Sequence, residues 1–115
     1  MRRVVITGLG TVNALGMSVS ETFPRILAGE SGVGLIQNFD TTDLAAKIGG
    51  MVKWEPSEFG FGSPDLRKLD PFTLWALVAS DEAPRDAGLE GIADRPEEFR
   101  QRCGTIVAET GVAHD

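Results

Sequence analysis

The apolar residues of the chain fall into three short runs that predict β-strands. The first run, residues 4–6, consists of β-branched Val and Ile and leads directly into a Thr-Gly-Leu-Gly turn at residues 7–10. Because it does not alternate with polar residues, this run predicts a strand that is buried on both faces. Residues 47–53 and 103–108 predict two further strands, the former weakened by two glycines.

Two segments predict the main helices. The first begins near residue 18, where Ser-Val-Ser-Glu has the spacing of a capping box, and ends at Gly29. We favour Ser20 over Ser18 as its N-cap, because Pro24 then lies close to the first turn rather than in the helix interior. The second and longer helix has Asp70 as its N-cap and Pro71 at its first position.

The longer helix has an unusual distribution of apolar residues. Seven of the eight residues from 72 to 79 are apolar, so the helix is apolar nearly all round instead of along one stripe. Such a helix is expected to be buried on more than one side, by protein that this chain supplies or borrows. Pro84 removes a hydrogen bond to the carbonyl of Ser80 and predicts a kink before the helix stops at Gly88.

Composition narrows the classes of protein and partner. A chain of 115 residues with 42% hydrophobic and 24% charged residues is typical of one soluble globular domain, and we expect neither disorder nor a membrane segment. A net charge of -6 and a pI near 4.7 argue against nucleic acid as a partner. An acidic partner would need a local basic patch, and the adjacent basic pairs are Arg2-Arg3 and Arg67-Lys68.

The chain has a single cysteine, Cys103, and a single histidine, His114. This inventory excludes an internal disulfide and falls short of the three or four ligands of a typical zinc site, so we expect no metal and no cofactor. Cys103 opens the third predicted strand, where a buried and inert thiol is the usual outcome, and His114 is expected to be solvated. No secretory signal follows Arg2-Arg3, which favours a cytoplasmic protein.

The glycines of the first turn allow two interpretations. Gly8 and Gly10 begin a dinucleotide-binding fingerprint, but the third glycine position holds Asn13 and the next glycine, Gly16, is out of register. The first clear N-cap comes only at residue 18, too late to place a helix start against a phosphate. We therefore favour a turn that packs closely on another segment, and keep a nucleotide-binding α/β domain as the alternative.

Taken together, and in this order, these segments resemble the N-terminal portion of the β-ketoacyl-acyl carrier protein synthases, the elongating condensing enzymes of the thiolase-like superfamily. The resemblance rests on an opening strand and turn, a glycine-rich loop, a second strand and a long helix, at residues 2–10, 27–34, 39–52 and 69–89. Pro24, Pro84 and the last residues, 109–115, depart from the family pattern.

The resemblance implies an α/β fold, the N-terminal part of a thiolase-like layered αβαβα fold. About three strands of a mixed sheet and two main helices would lie in this chain. Residues 1–115 would be an incomplete, N-terminal segment of a β-ketoacyl synthase domain. The implied enzyme is a homodimer of fatty-acid biosynthesis or of a related polyketide pathway, and its partners are acyl carrier protein and the malonyl-carrier thioester.

The implied reaction is a decarboxylative Claisen condensation. A cysteine thiolate accepts an acyl chain from the carrier, malonyl-carrier protein loses carbon dioxide, and the resulting carbanion attacks the acyl-enzyme. The family's catalytic cysteine and two histidines lie beyond residue 115. We therefore expect no catalytic, cofactor-binding or metal-binding residue in this chain, and no role in catalysis for Cys103 or His114.

Two further alternatives stay open. The chain could be a truncated or non-catalytic synthase homologue that acts as an interaction partner. It could also be a plain interaction module that covers its apolar helix with another protein, which predicts an oligomer at low micromolar concentration.

Overall fold

The computed structural model describes residues 1–109. These residues form four α-helices and one small sheet, with bounds α1 Val19–Leu27, β1 Val33–Leu35, β2 Ile48–Gly50, α2 Ser63–Lys68, α3 Pro71–Asp86 and α4 Glu97–Gln101. Two 3-10 turns, Pro56–Phe59 and Ile92–Asp94, complete the regular structure. The α/β class is confirmed, and α1 and α3 are the two main helices that the sequence predicts.

Helix α1 begins earlier than predicted. Its N-cap is Ser18, not Ser20: the Ser18 hydroxyl accepts the Glu21 N–H at 3.2 Å. The Glu21 carboxylate in turn accepts the Met17 N–H at 3.0 Å, so two otherwise unpaired donors are satisfied. The early start leaves Pro24 inside the helix. An interior proline costs about 3 kcal/mol, and the two capping hydrogen bonds offset part of that cost.

Helix α3 begins as predicted, with Asp70 as N-cap and Pro71 as its first residue, and it continues through Pro84 to Asp86. Residues 1–109 do not themselves supply the burial that is expected on more than one side of the helix, so that expectation stays a prediction. Leu74 is the one fully buried side chain of the helix, whereas Leu77 is about half exposed. The helix therefore presents apolar surface that residues 1–109 do not cover.

The sheet is smaller than predicted. Strands β1 and β2 pair antiparallel, with Val33 opposite Gly50 and Leu35 opposite Ile48, so only the second predicted strand is confirmed. Predicted strands at 4–6 and 103–108 belong to no sheet within residues 1–109. Apolar sequence shows that a segment suits a covered sheet, but a strand also needs a neighbour for its N–H and C=O groups.

The glycine turn packs against α3. A Cβ on Gly8 would lie 2.3 Å from the carbonyl oxygen of Ala83, and a Cβ on Gly10 would lie 2.1 Å from that of Ala79. Alternate residues of an extended chain are about 6.6 Å apart, and residues four apart on a helix about 6 Å. The spacing of the glycines therefore matches that of the alanines, and the predicted close packing is confirmed.

Little of the described chain is fully buried. The buried apolar residues are Met17 and Leu74. The ring of Trp54 contacts three other aromatic rings, with centroid distances of 6.1–6.2 Å to Phe59, Phe61 and Trp75. The accessible surface is 9540 Å², against about 6,100 Å² for a compact monomer of this mass. The radius of gyration, 17.4 Å, likewise exceeds the roughly 13 Å of a compact domain of this length. The structure is open, and much apolar surface faces outward.

Candidate functional site

Within residues 1–109, side-chain hydrogen bonds between segments far apart in the sequence are concentrated where the glycine turn meets α3. The Glu82 carboxylate accepts the Thr11 N–H through Oε1 and the Val19 N–H through Oε2, both at 2.9 Å. One turn further along α3, Asp86 accepts the Leu9 N–H at 3.0 Å. Glu82 therefore joins three elements: α3, the glycine turn and the first residue of α1.

Asn13 fixes the end of the same turn. Its backbone forms a narrow bridge with Gly16, and its side-chain oxygen accepts the Leu15 N–H at 2.8 Å. Its amide group donates to the hydroxyls of Thr11 and the buried Thr22 at 3.1 and 3.0 Å. All of the polar atoms of Asn13 are thus engaged in holding the loop.

These contacts argue against the nucleotide-binding alternative. The amide groups of Leu9 and Thr11, which a phosphate would require, already donate to carboxylates. A bound pyrophosphate would also lie beside two like charges, Glu82 and Asp86, and like charges repel. The glycine turn is built for packing on a helix.

Two apolar grooves flank α3. The first has a volume of about 490 Å³ and is lined mainly by Met17, Phe59, Phe61, Leu77 and Val78. Its rim carries an ion-pair network in which Arg85 contacts Asp81 at 2.7 Å and Glu90 at 2.8 Å.

The second groove lies between α3 and the segment that follows α4. It has a volume of about 530 Å³, and Val12, Trp75, Ala79 and Val107 are among its lining residues. The indole N–H of Trp75 is buried and has no acceptor within residues 1–109. An unpaired buried donor costs about 1–3 kcal/mol, so this indole N–H is an unfavourable feature of the described residues.

The sequence predicts that Cys103 is buried at the start of a strand, and this prediction is wrong. In the structure Cys103 is exposed and lies just after α4. Its N–H bonds to the carbonyl of Arg100, and its thiol donates to the carbonyl of Phe99 at 3.5 Å. The apolar run that follows it, which suggested a strand, has no partner strand within the described chain. His114 and the divergent residues 110–115 lie outside the described residues.

The described residues contain no group of three or more His, Cys, Asp and Glu side chains that could hold a metal ion. No helix among them is both long and apolar enough to cross a membrane.

Some basic side chains already form hydrogen bonds or ion pairs within residues 1–109, and others do not. Lys47 donates to the carbonyl oxygens of Thr41, Thr42 and Leu44 at 2.8–3.3 Å and so ties together the loop between β1 and β2. By contrast, Arg67 and Lys68 form the exposed last turn of α2, and neither makes an ion pair within residues 1–109. Arg2 and Arg3 are exposed as well and make no ion pair within residues 1–109, so an acidic partner has two local basic pairs available.

The loop that Lys47 ties together also holds an ionised carboxylate. The Thr42 hydroxyl, and then its backbone N–H, donate to Asp40 and lower the pKa of that carboxyl from its ordinary value. Since the folded pKa is the lower one, these bonds stabilise the loop above the ordinary pKa, and the effect is lost as pH falls through the lowered value. Asp40 is exposed, so the contribution is local.

Sequence reasoning missed the role of Glu82 and Asp86. The only available signal was their spacing of four residues on one helix, opposite a stretch, residues 4–20, that carries no charged side chain. That spacing is common on solvated helix faces, and it does not reveal that backbone N–H groups face the carboxylates.

A family model described as the N-terminal domain of β-ketoacyl synthase matches residues 1–113. The 3-oxoacyl-[acyl-carrier-protein] synthase 2 of Vibrio cholerae is 38% identical over 89 residues, which are 77% of this chain and 22% of that protein. Synthase I of Arabidopsis thaliana chloroplasts is 32% identical over 111 residues, 96% of this chain and 23% of that protein.

A polyketide relative gives a similar match. The putative polyketide β-ketoacyl synthase 1 of Streptomyces halstedii is 33% identical over 115 residues, 99% of this chain and 27% of that protein. The chain thus spans about a quarter of the length of these curated relatives. With a family match across residues 1–113 and relatives above 30% identity over nearly all of the chain, this protein belongs to the β-ketoacyl synthase family and corresponds to its N-terminal domain.

Proposed function

We propose that this chain is the structural N-terminal part of a 3-oxoacyl-acyl carrier protein synthase of fatty-acid biosynthesis. The observation that carries the proposal is the family match over residues 1–113. The chain would supply scaffold: packing turns, helices and surfaces on which the rest of a synthase folds. The chemistry would belong to residues outside this chain.

The distribution of reactive groups supports a scaffold role. The hydrogen-bonding partner of the Cys103 thiol in the described chain is a backbone carbonyl, and a carbonyl cannot act as the base that a nucleophilic thiol needs. The carboxylates of Glu82 and Asp86 are engaged with backbone N–H groups. The proposed condensation would therefore use the cysteine and two histidines that the resemblance assigns beyond residue 115.

The exposed apolar segments support the finer fold proposal. Val4 and Ile106 are 95% and 98% exposed although both lie in runs that suit a sheet interior. In the proposed layered αβαβα fold these runs would pair with strands of the remaining synthase and α3 would be covered. The mixed sheet, the homodimer and the cytoplasmic location stay predictions.

The proposed partner is acyl carrier protein, which is part of the printed name of several relatives. This chain carries a net charge of -6, so it would repel an acidic carrier over most of its surface. Two exposed basic pairs, Arg2-Arg3 and Arg67-Lys68, would then be available to such a carrier, and we propose the pair on α2 as the docking place.

The activity test compares the 115-residue chain with the natural gene product that contains it. Intact-mass spectrometry after incubation with an acyl-carrier thioester should show no acyl adduct on the 115-residue chain. The natural gene product should condense the acyl group with malonyl-carrier protein and form 3-oxoacyl-carrier protein. The Cys103→Ala variant of that gene product should condense at an unchanged rate. An acyl adduct on Cys103, or a natural product unable to condense, would contradict the proposal.

A further inference from the structure

The loop between β1 and β2, residues 36–47, closes around one ammonium group. The Lys47 Nζ donates to the carbonyl oxygens of Thr41, Thr42 and Leu44 at 2.8, 3.3 and 3.1 Å. A lysine ammonium has three N–H donors and no acceptor, so three carbonyls use its full donor capacity. Every other basic side chain that donates to a main-chain carbonyl in residues 1–109 contacts a single carbonyl. The convergence of three carbonyls on one nitrogen is therefore particular to Lys47.

No carboxylate pairs with this ammonium group in the described part of the chain. Both ion pairs within residues 1–109 belong to Arg85. The loop carboxylate of Asp40 accepts hydrogen bonds from Thr42 instead. Neutral carbonyl oxygens are the ligands that replace the hydration shell of a monovalent cation, whereas Ca²⁺ and Mg²⁺ are bound largely through carboxylates. The three carbonyls thus have the ligand chemistry of a site for a monovalent cation.

Little else in the loop keeps these carbonyls together. The side chains of Phe39 and Leu44 are about half exposed, so apolar packing contributes little. The main-chain bond from the Leu44 N–H to the Thr41 carbonyl, at 2.9 Å, is local to the turn. Lys47 itself is fixed, because its carbonyl accepts the N–H of Ile36 at 2.9 Å, next to the end of β1. Its side chain therefore connects the fixed end of the loop to the distant turn.

We propose that the carbonyls of Thr41, Thr42 and Leu44 form an ammonium-binding site, which Lys47 fills from within the chain and on which the shape of the loop depends. The class of ligand is a primary ammonium group, a monovalent cation with three N–H donors on one nitrogen. A tethered ligand has a high effective concentration, so cations in solution do not displace Lys47. Without the Lys47 side chain, the site either takes a free primary ammonium ion or the loop opens.

Hydrogen exchange of the 115-residue chain, read by mass spectrometry at constant pH, tests whether the loop depends on this group. Lys47→Met keeps an apolar stem but has no donor, so protection of residues 42–44 should fall about fivefold. Lys53→Met is the matched control, because Lys53 is exposed and carries the same charge, and it should leave this protection unchanged. Equal loss in the two variants, unchanged protection in Lys47→Met, or a parallel loss at residues 71–80 of α3 would each overturn the proposal.

Rescue by small cations identifies the class of ligand. Lys47→Ala also removes the stem of the side chain and leaves room for a free ion. Methylammonium chloride should restore protection of residues 42–44 in this variant, because methylammonium has the same three N–H donors as lysine. Tetramethylammonium chloride at the same concentration supplies the charge without an N–H donor and should restore none. The unsubstituted chain should respond to neither salt.

Two outcomes of the rescue would contradict the site. Restoration by both salts would indicate a general effect of ionic strength and not recognition of N–H donors. Restoration by neither salt would show that the three carbonyls do not bind an ammonium ion. Either result would overturn the proposal.

Discussion

Gly10 shows how one residue can be determined by a helix far away in the sequence. A methyl group there would overlap the carbonyl oxygen of Ala79, at 2.1 Å, and crowd the amide nitrogen of Ala83, at 2.9 Å. Both neighbours are backbone atoms of α3, which cannot move aside as a flexible side chain could. Glycine is required here for close approach and not for a positive φ, since Gly10 is not among the glycines with φ above zero.

We predict that Gly10→Ala lowers the free energy of unfolding by about 1–3 kcal/mol, because the turn must separate from α3. Gly34→Ala is the matched control, since a Cβ at Gly34 meets no atom within 4 Å. Urea denaturation followed by tryptophan fluorescence measures both variants. Equal midpoints for Gly10→Ala and Gly34→Ala would contradict the close packing.

At this scale the sequence was informative where the spacing of residues determined the contact. The pair Gly8 and Gly10 indicated close packing, because neither a third glycine nor a helix start followed. Cys103 was placed wrongly, because an apolar run following it indicates affinity for a sheet and not the presence of one. Glu82 was missed, because backbone N–H groups leave no trace in side-chain patterns.

At the level of elements, capping determined helix bounds better than propensity did. Both main helices contain an interior proline, Pro24 in α1 and Pro84 in α3, yet each runs to a glycine stop with positive φ, Gly29 and Gly88. The Asp70-Pro71 start was predictable from local chemistry alone. Strands at 4–6 and 103–108 were not, because pairing depends on a neighbour that no local pattern contains.

We predict that Pro84→Ala stabilises α3 by about 1–3 kcal/mol, because it restores an N–H for the carbonyl of Ser80 and removes a ring clash. Pro71→Ala is the control: at the first helical position the missing N–H has no helical partner, so no gain is expected. Thermal denaturation followed by far-UV circular dichroism compares them. If Pro71→Ala raised the thermal stability as much as Pro84→Ala, the position of the proline within α3 would not explain the effect.

For the whole molecule, charge and exposed surface determine which partners can approach. A net charge of -6 leaves few basic side chains, and several of these, such as Lys47 and Arg85, are engaged within the fold. Accessible surface exceeds that of a compact monomer by about 3,400 Å². That difference is larger than a standard protein interface, so the surface is sufficient for extensive contacts with further protein.

We predict that the double variant Arg67→Glu, Lys68→Glu raises the KM of the natural gene product for carrier-bound substrate about tenfold and leaves kcat unchanged. Charges at the edge of a docking interface act mainly on the rate at which the two proteins associate. Arg100→Glu with Arg102→Glu makes the same change in charge at the C-terminal end of α4 and should leave KM within about twofold. Steady-state kinetics at low salt measures both. An equal rise in the two variants would indicate a general charge effect and not docking at α2.

The uncovered runs at residues 4–6 and 106–107 also decide how the molecule fares during biogenesis. An uncharged run with unpaired backbone groups is a template for strand pairing between molecules. Pairing within one molecule is independent of concentration, whereas pairing between molecules accelerates as concentration rises. We therefore expect the chain to aggregate through these two runs when it is made at high concentration. Dilution or slow expression should increase the yield of soluble protein.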